Sequence, residues 1–341
     1  MLFTFYIIIL ITLISICFYF ATKNKSLDYR DSTVLITGGS SGIGLELTDL
    51  FLKSDCNVIV CSRNPSVASS KIDRDINQKY RIDELAIDLT KPYEEVKLLL
   101  DEYFRKREFP NIIVNCAGIS YPSKFIDSSP CEWQKMSELN LMSSLKITHY
   151  FLGKLEKLNT KKPKRLCYIS SMAGQVGLYG FAAYSASKFS LKGFCDALKM
   201  ELIHTPEIKI TLAYPPDTMT PGYERENLSK PLITQRLSEG GGLAKPDSVA
   251  NVIKNDVVNG YYYSFYGITG LLLTLATAGM QSSVFYDRLE GKLPKWIILV
   301  PSLLVESFFA AIIRLIAMIQ SLIWTHQVKS IIKEIEEKKI Q

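Results

Sequence analysis

The 341-residue sequence has few residues that could hold a metal ion or form a disulfide framework. It contains three histidines and seven cysteines, and no two of the cysteines form a CxxC pair. Structural zinc sites are built from such closely spaced ligands, so the composition argues against a metal site. The odd number of cysteines predicts buried thiols in a reducing compartment.

Charge is also scarce. Charged residues make up 22% of the chain, and the formal net charge is only +6. So small an excess over this length argues against nucleic acid as a partner and is compatible with an anionic membrane face. Hydrophobic residues make up 47%, which is enough to bury a sizeable core and excludes a disordered chain.

The hydrophobic residues are concentrated at the two ends of the chain. Residues 2–21 contain no charge and have about the ~20-residue length that a helix needs to cross a bilayer. A cleaved signal peptide would show a basic start, a shorter apolar run and a small-residue cleavage site, and none of these features fits the sequence well. We therefore interpret residues 1–22 as a permanent transmembrane anchor. Lys23, Lys25 and Arg30 follow it, which indicates that the body of the protein faces the cytosol.

A second apolar zone covers residues 267–325: the stretch 265–280 contains no charge, and the longer stretch 296–324 contains Pro301, Glu306 and Arg314. It could form a pair of spans, a re-entrant hairpin or helices that lie in the membrane interface. The charged tail, residues 326–341, ends in Lys338 and Lys339 before the last two residues. This end resembles the dilysine retrieval signal of endoplasmic reticulum membrane proteins, and a solvated helix end explains it equally well. If it is a cytosolic signal, the apolar zone crosses the membrane twice or not at all.

Between the apolar ends, residues 31–266 have the length of one α/β domain. Short β-branched runs alternate with helical patterns, which predicts a parallel sheet of about seven strands with helices on both faces. We interpret the following runs as strands: 34–37, 57–61, 85–87, 112–115, 166–170 and 208–214. The expected fold class is therefore α/β, a Rossmann-type doubly wound sheet.

A glycine-rich segment follows the first predicted strand and opens a helical pattern. Glycines in this position let the backbone turn sharply and approach a pyrophosphate, whose charge is met by free amides at the helix start. A plain turn is the alternative, but the position between strand and helix favours a dinucleotide site. The residues predicted to form it are Gly38, Ser40, Ser41, Gly42, Ile43 and Gly44.

The end of the second predicted strand indicates which dinucleotide is bound. An acidic residue there would bond the ribose 2′-hydroxyl of NAD, whereas an arginine suits the 2′-phosphate of NADP. Ser62 and Arg63 occupy this position, and the next carboxylate is Asp73. The sequence therefore favours NADPH, with Arg63 pairing with the phosphate and Ser62 donating a hydrogen bond. A surface side chain in any exposed loop is the alternative account of Arg63.

Ser171, Tyr184 and Lys188 are the candidate reactive residues. A phenol with the ordinary pKa of about 10 exchanges protons poorly near neutrality, and a nearby ammonium lowers that pKa. Tyr184 and Lys188 are four residues apart, so they share one face of a helix. The same spacing recurs at other tyrosines. Only Tyr184 has, thirteen residues before it, a serine that ends a predicted strand at the edge where ligands bind.

The order and spacing of these elements from about residue 32 to residue 266 resemble the classical short-chain dehydrogenase/reductases. Further elements of the resemblance are Asp88, Asn115-Cys116-Ala117-Gly118 and Asn140. The resemblance implies an NADPH-dependent oxidoreductase in which Tyr184 is the general acid and Ser171 orients the carbonyl. Lys188 would lower the pKa of Tyr184 and hold the nicotinamide ribose.

The resemblance also implies roles for residues around this centre. Asn140 would hold a water that connects Lys188 to solvent, although a buried asparagine that bonds backbone groups is an alternative. Asp88 would meet the adenine and Asn115 would back the cofactor, and a structural role at a strand end explains both equally well. The implied cofactor contacts also include Leu89, Pro215 and Thr218.

Two stretches, residues 183–189 and 214–222, narrow the resemblance to the 3-ketodihydrosphingosine (3-dehydrosphinganine) reductases. The second carries Pro215-Pro216 where most of the family has Pro-Gly, and Met219 stands where those reductases usually have an aspartate. The resemblance implies a long-chain sphingoid ketone as substrate, collected from the endoplasmic reticulum membrane, and allows a homo-oligomer. The rival hypotheses are a membrane-anchored reductase of a retinoid or steroid and a non-catalytic nucleotide-sensing scaffold.

The long polar stretch 216–245 predicts a mobile lid over the acyl chain, with a disordered loop as the alternative. Within it, Asp217 is a candidate partner for the substrate ammonium. A tyrosine cluster at residues 261–266 suggests either an interfacial aromatic belt or the last strand of the sheet.

Overall fold

The computed structural model describes residues 28–72, 81–239 and 242–278, together with individual positions between 284 and 337. The predicted anchor at residues 1–22, most of the apolar zone from residue 279 onward and the Lys338-Lys339 end lie outside the described residues. The chain divides into two units, Leu27–Tyr266 and a second one made of Met1–Ser26 and Gly267–Gln341. Among the helices that are described, none has both the length and the apolar character that a membrane span requires.

Seven parallel strands form the sheet of the unit Leu27–Tyr266, in the order β3-β2-β1-β4-β5-β6-β7. Their bounds are β1 Thr33–Thr37, β2 Asn57–Ser62, β3 Ile82–Ala86, β4 Ile112–Asn115, β5 Lys164–Ile169, β6 Ile208–Tyr214 and β7 Tyr263–Phe265. The predicted doubly wound sheet is thereby confirmed. The largest difference in a boundary is at β3, which begins at Ile82 rather than Leu85, and the boundaries of β1, β2 and β5 differ by one or two residues. Tyr263 of the tyrosine cluster lies in β7, and Tyr261 and Tyr262 are buried directly before it, so these three form no interfacial belt, whereas Tyr266 after β7 is half-buried.

Helices connect the strands on both faces of the sheet. They are α1 Gly42–Leu52, α2 Ser66–Lys71, α3 Tyr93–Phe104, α4 Pro130–Ser137, α5 Ser143–Lys157, α6 Ala182–Glu201, α7 Pro221–Asn227, α8 Leu232–Glu239 and α9 Pro246–Asn259. A single π-helical turn, Glu138–Met142, joins α4 to α5. In the other unit, α10 spans Gly267–Thr277.

Local sequence signals explain where several of these helices begin and end. α4, α7 and α9 each start with a proline, whose fixed φ suits the first helical position. α9 ends at Gly260, which has φ +72° and so occupies the left-handed region that glycine adopts without strain.

The register of the central strands positions the functional edge of the sheet. Thr37 at the end of β1 pairs with Cys61 of β2 on one side and with Asn115 of β4 on the other. The chain order reverses between β1 and β4, so the connections leave the sheet in opposite directions there and open a crevice at the carboxyl ends of the strands.

The core lies between the sheet and its covering helices. Leu47 and Phe51 of α1 are fully buried against a cluster that includes Val34, Ile36 and Val60 of the sheet. Each such side chain contributes about 1.5–3 kcal/mol on full burial, so packing holds α1, and with it the preceding loop, against the end of β1.

Arg165, on β5, ties the carboxyl end of α9 to the sheet. The residue is 5% exposed. Its guanidinium donates to the carbonyl oxygens of Val257 at 3.0 Å, Val258 at 3.2 Å and Lys164 at 2.9 Å. Burial lowers the pKa of Arg165 to about 10, so the group stays charged at neutral pH, where a cation favours the negative end of the helix.

We predict that Arg165→Met lowers the free energy of unfolding by about 2–3 kcal/mol, because buried carbonyl oxygens lose charge-assisted hydrogen bonds. Urea denaturation of the purified chain measures the change. The exposed Lys161→Met is the matched loss of charge and should change stability by less than about 0.5 kcal/mol. Equal effects of the two substitutions would contradict this role.

Candidate active site

The glycine loop between β1 and α1 brings backbone groups closer together than side chains would allow. Gly38 has φ +69°, and a Cβ added to it would lie 2.9 Å from the Cα of Ala117. A Cβ added to Gly44 would lie 2.3 Å from the carbonyl oxygen of Gly38. Both positions therefore require glycine. Of the remaining predicted loop residues, Ser40 and Ile43 are half-buried and Ser41 is exposed at the start of α1.

The start of α1 has the free donors that a pyrophosphate needs. The hydroxyl of Ser41, the residue before the helix, makes no capping bond to the first-turn amides among the described residues. Gly42, the first helical residue, has φ +53°, and a Cβ there would lie 3.0 Å from Cγ2 of Thr220. The uncapped helix start can therefore bind an anionic ligand.

Thr37 joins the glycine loop to the end of β4. Its hydroxyl oxygen accepts hydrogen bonds from the backbone N–H groups of Cys116 at 3.0 Å and Ala117 at 3.1 Å. Asn115, just before them, is 3% exposed, and its amide donates to the carbonyl oxygen of Cys167 at 3.4 Å. The side-chain oxygen of Asn115 is buried and has no hydrogen-bond partner among the described residues. Sequence reasoning missed the role of Thr37.

The residues that were predicted to bind the nucleotide lie close to one another, at the ends of β2 and β3. Ser62 ends β2, and its buried hydroxyl has no hydrogen-bond partner among the described residues, while Arg63 is exposed. Asp88 accepts hydrogen bonds from the backbone and hydroxyl of Thr90 at 3.0 and 2.8 Å. Burial raises the pKa of Asp88, but these bonds and the positive charge of Arg63 outweigh it and hold the pKa below its ordinary value. Leu89 is buried beside it.

The structure brings Ser171, Tyr184 and Lys188 together at the carboxyl edge of the sheet. Ser171 follows β5, and its hydroxyl accepts a hydrogen bond from the N–H of Ala173 at 3.1 Å. Tyr184 and Lys188 lie on α6, and the Nζ of Lys188 is 5.9 Å from the centre of the Tyr184 ring. The hydroxyls of Ser171 and Tyr184 are hydrogen-bonded to each other.

Lys188 is a buried cation. The residue is 4% exposed, and its Nζ donates to the carbonyl oxygen of Ile169 at 2.8 Å. A Cβ added to Gly118 would lie 3.3 Å from the same Nζ, so the end of β4 and the ammonium are in close approach. Burial lowers the pKa of Lys188 to about 8, and the neighbouring Cys116 thiol opposes that shift.

The protonation of Tyr184 differs from the expectation that Lys188 lowers its pKa. Burial raises the pKa of Tyr184 above its ordinary value, and the negative charge of Glu226 raises it further. The hydrogen bond with Ser171 acts in the opposite direction but is outweighed. The phenol is therefore protonated at neutral pH, which suits a group that has to donate a proton.

Asn140 lies in the π-helical turn and fastens two parts of the site together. Its side chain accepts from the N–H of Ile119 at 2.8 Å and donates to the carbonyl oxygen of Ile119 at 2.9 Å. It also donates to the hydroxyl of Ser187 at 2.9 Å, which in turn donates to the carbonyl oxygen of Tyr184 at 2.7 Å. These bonds correspond to the structural role that was the alternative for Asn140, a buried asparagine that bonds backbone groups. The water-holding role of Asn140 stays a prediction.

Pro215 and Thr218 lie in the segment that leads from β6 to the predicted lid. We call residues 215–218 the neck. The carbonyl oxygen of Pro215 accepts from the N–H of Met172 at 3.1 Å, next to Ser171. Thr218 is 5% exposed and forms a parallel β-bridge with Ala244. The bridge includes hydrogen bonds from Met219 N–H to Ala244 at 3.0 Å and from Ala244 N–H to Asp217 at 2.9 Å.

The lid segment, defined here as residues 219–239, is helical rather than the disordered loop that was the alternative. It contains α7 and α8. Its start packs on the glycine loop through Thr220 and Gly42, and the hydroxyl of Thr234 donates to the carbonyl oxygen of Tyr179 at 2.8 Å. The lid segment therefore contacts both the glycine loop and the loop before α6. Its mobility stays a prediction.

Sequence reasoning missed Glu226 and Lys230 in this segment. Lys230 Nζ lies 2.8 Å from Glu226 Oε1 and 3.7 Å from Asp217 Oδ2. Asp217, the candidate partner for the substrate ammonium, is thus already paired with a lysine of the chain. The four-residue spacing between Glu226 and Lys230 was the available signal, but it occurs on many solvated helices.

Comparisons with known proteins agree with this architecture. The sequence model of the short chain dehydrogenase family matches residues 32–230. A 3-dehydrosphinganine reductase of Danio rerio is 35% identical over 261 residues, covering 75% of this chain and 77% of that protein. A 3-ketodihydrosphingosine reductase of Bos taurus is 34% identical over 260 residues, with the same coverage of 75% and 77%.

Two solved structures share the fold. A 3-ketoacyl-(acyl-carrier-protein) reductase from Brucella melitensis, complexed with NADH, superposes with a TM-score of 0.57 at 19% identity, over 67% of this chain and 92% of that one. A ligand-free aldohexose dehydrogenase from Thermoplasma acidophilum superposes with a TM-score of 0.54 at 21% identity, over 68% and 88% of the two chains.

We predict that NADPH affinity falls as pH rises through about 8. The pKa of Lys188 is lowered to about 8, so its ammonium is present below that pH and is lost above it. The 2′-phosphate, with a second pKa of about 6, is already ionised over this range and contributes no change. Fluorescence titration with NADPH should show that the affinity falls about fivefold or more between about pH 7 and about pH 9.5. Lys188→Met should bind weakly at every pH, and an unchanged affinity of the wild type across this range would contradict the assignment.

Proposed function

The chain belongs to the short-chain dehydrogenase family, and from this premise we propose that it reduces the C3 ketone of 3-ketodihydrosphingosine to dihydrosphingosine with NADPH. The observation that carries the proposal is the hydrogen bond between Ser171 and a protonated Tyr184, beside the buried ammonium of Lys188. The substrate follows from the relatives, which are named for this reduction and which align with three quarters of the chain.

The residues around the glycine loop fit a nicotinamide dinucleotide. Gly38 and Gly44 leave a cradle that a Cβ would fill, and the start of α1 is uncapped among the described residues. The buried oxygens of Ser62 and Asn115 that have no partner among the described residues are the polar groups that a bound nucleotide would satisfy. The exposed Arg63 at the end of β2 supports the 2′-phosphate of NADPH over the hydroxyl of NADH.

The reduction needs a hydride and a proton, and the chain provides for the proton. When bound, NADPH supplies the hydride to C3. The phenol of Tyr184 donates its proton to the carbonyl oxygen as negative charge develops there. Ser171 donates a hydrogen bond to the same oxygen and holds it in line. Lys188 holds the nicotinamide ribose hydroxyls, and its ammonium supports return of a proton to the Tyr184 phenolate.

The location of the reaction is part of the proposal. A long-chain sphingoid ketone partitions into a bilayer, so an enzyme anchored by residues 1–22 would collect it there with its catalytic unit in the cytosol. The resemblance of the Lys338-Lys339 end to a retrieval signal supports the endoplasmic reticulum membrane. A homo-oligomer is compatible with these observations. A retinoid or steroid substrate would use the same catalytic residues, and no relative reported above is named for either.

We predict that Tyr184→Phe lowers kcat for 3-ketodihydrosphingosine by about 100-fold or more, because the general acid is lost. The assay follows NADPH consumption by membranes that contain the full chain. Tyr150→Phe is the matched control, since Tyr150 and Lys154 have the same spacing but the Tyr150 hydroxyl bonds Asp101 at 2.8 Å. It should keep wild-type activity. Turnover of retinal or a ketosteroid in place of the sphingoid ketone would overturn the substrate assignment.

We predict that Arg63→Ala raises the KM for NADPH about tenfold or more and leaves the KM for NADH unchanged, because only NADPH loses a charge-assisted hydrogen bond. Steady-state rates with each cofactor measure the difference. Arg81→Ala, an exposed arginine directly before β3, is the control and should alter neither value. Parallel losses with both cofactors would show that Arg63 does not discriminate between them.

A further inference from the structure

A buried lysine lies at the centre of an ion network next to the catalytic tyrosine. The side chain of Lys230 is 1% exposed, although it belongs to the connection between α7 and α8. Its Nζ contacts Glu226 Oε1 at 2.8 Å and Asp217 Oδ2 at 3.7 Å. It also lies 4.6 Å from the centre of the Tyr223 ring and 5.6 Å from that of Phe181. Although Lys230 lies in a loop between two helices, its side chain is enclosed by two carboxylates and two aromatic rings.

The three charges connect separate parts of the site. Asp217 lies at the neck, beside the β-bridge between Thr218 and Ala244, whereas Glu226 lies on α7 within the lid segment. The ring of Phe181 also packs on the ring of Tyr184, with centroids 5.5 Å apart. Lys230 therefore contacts Asp217 at the neck, Glu226 within the lid segment and the aromatic ring that packs on Tyr184.

The balance of charge in this network is unequal. One ammonium, that of Lys230, faces the two carboxylates of Glu226 and Asp217. The titratable groups that face the pair are Tyr223 from α7 and Tyr184 from α6. Removing the lysine would leave the largely buried carboxylate of Glu226 and the partly exposed carboxylate of Asp217 without a counter-charge, which costs more than the pair contributes when intact.

We propose that Lys230 is a positioning residue of the reductase: it ties Glu226 of the lid segment to Asp217 at the neck and so holds the lid segment closed beside Tyr184. The inference rests on the proposed function. Burial raises the pKa of Glu226 and of Asp217, and Lys230 opposes both shifts. Without the lysine, burial of the Glu226 carboxyl group favours its protonated form, so the lid segment closes at low pH and opens as the pH rises.

The test compares kcat/KM for 3-ketodihydrosphingosine at about pH 6 and about pH 8 in membranes that contain the full chain. The kcat/KM of Lys230→Met is expressed as a fraction of the wild-type value at the same pH. This fraction should fall about tenfold or more from about pH 6 to about pH 8, because Glu226 and Asp217 then ionise without a partner. Lys230→Arg should restore wild-type behaviour. The double variant Glu226→Gln with Lys230→Met should show a smaller pH dependence than Lys230→Met, since only Asp217 is then left to ionise without a partner. Arg225→Met, an exposed cation of α7, is the matched control and should match wild type.

A second measurement does not depend on activity. The Arg225–Glu226 bond lies in α7, so trypsin cleaves it only when the lid segment opens. At about pH 8, Lys230→Met should be cut there about tenfold faster than wild type, and the double variant should be cut more slowly than Lys230→Met. Wild-type cleavage and wild-type kcat/KM in Lys230→Met would overturn the inference. If the wild type fails to reduce the ketone, the proposed function falls, while cleavage at Arg225 still decides whether Lys230 closes the lid segment.

Discussion

The pairing of β1 with β4 is the constraint on which the site depends. It sets Thr37 opposite Asn115, and the Thr37 hydroxyl then bonds the two amides that follow β4. The glycine loop and the Asn115–Gly118 turn are thereby held within contact of each other. Because the order of strands reverses at this pair, the crevice between the two connections is open to a ligand. Packing of α1 on the sheet holds one wall of the crevice, and the bonds of Asn140 to Ile119 hold the other.

Two buried lysines serve this crevice in different ways. The ammonium of Lys188 is held by a neutral carbonyl oxygen, so burial lowers its pKa to about 8 and leaves it able to exchange a proton near neutral pH. Lys230 is held by two carboxylates, and it connects the lid segment to the body of the domain. Tyr184 lies beside Lys188 and packs on Phe181, which Lys230 contacts, and its pKa is raised by burial and by the charge of Glu226. A phenol in such surroundings holds its proton until negative charge develops on a bound carbonyl oxygen, which favours the reductive direction.

The same network shows why the lid segment has a defined structure. A long polar connection that buries too little apolar surface stays disordered. Here the Thr218–Ala244 bridge closes the neck, Thr220 packs on Gly42 and the Thr234 hydroxyl bonds Tyr179. These contacts join the segment and its neck to the loop before α9, to the start of α1 and to the loop before α6. The lid segment thus gains its order from the domain it covers, and the substrate side of the crevice is shaped by the same residues.

The sequence alone determined the features that depend on neighbours along the chain. Alternating β-branched runs predicted the doubly wound sheet, the glycines after β1 predicted the tight loop, and the four-residue spacing placed Tyr184 and Lys188 on one helix face. Only the tertiary structure decided what depends on residues far apart in the chain. It paired Asp217 with Lys230 instead of leaving it for a ligand, and it raised the pKa of Tyr184 where a neighbouring lysine predicted a lower one. The reason is physical: a pKa is set by desolvation and by every charge nearby, and these are known only once distant segments have packed together.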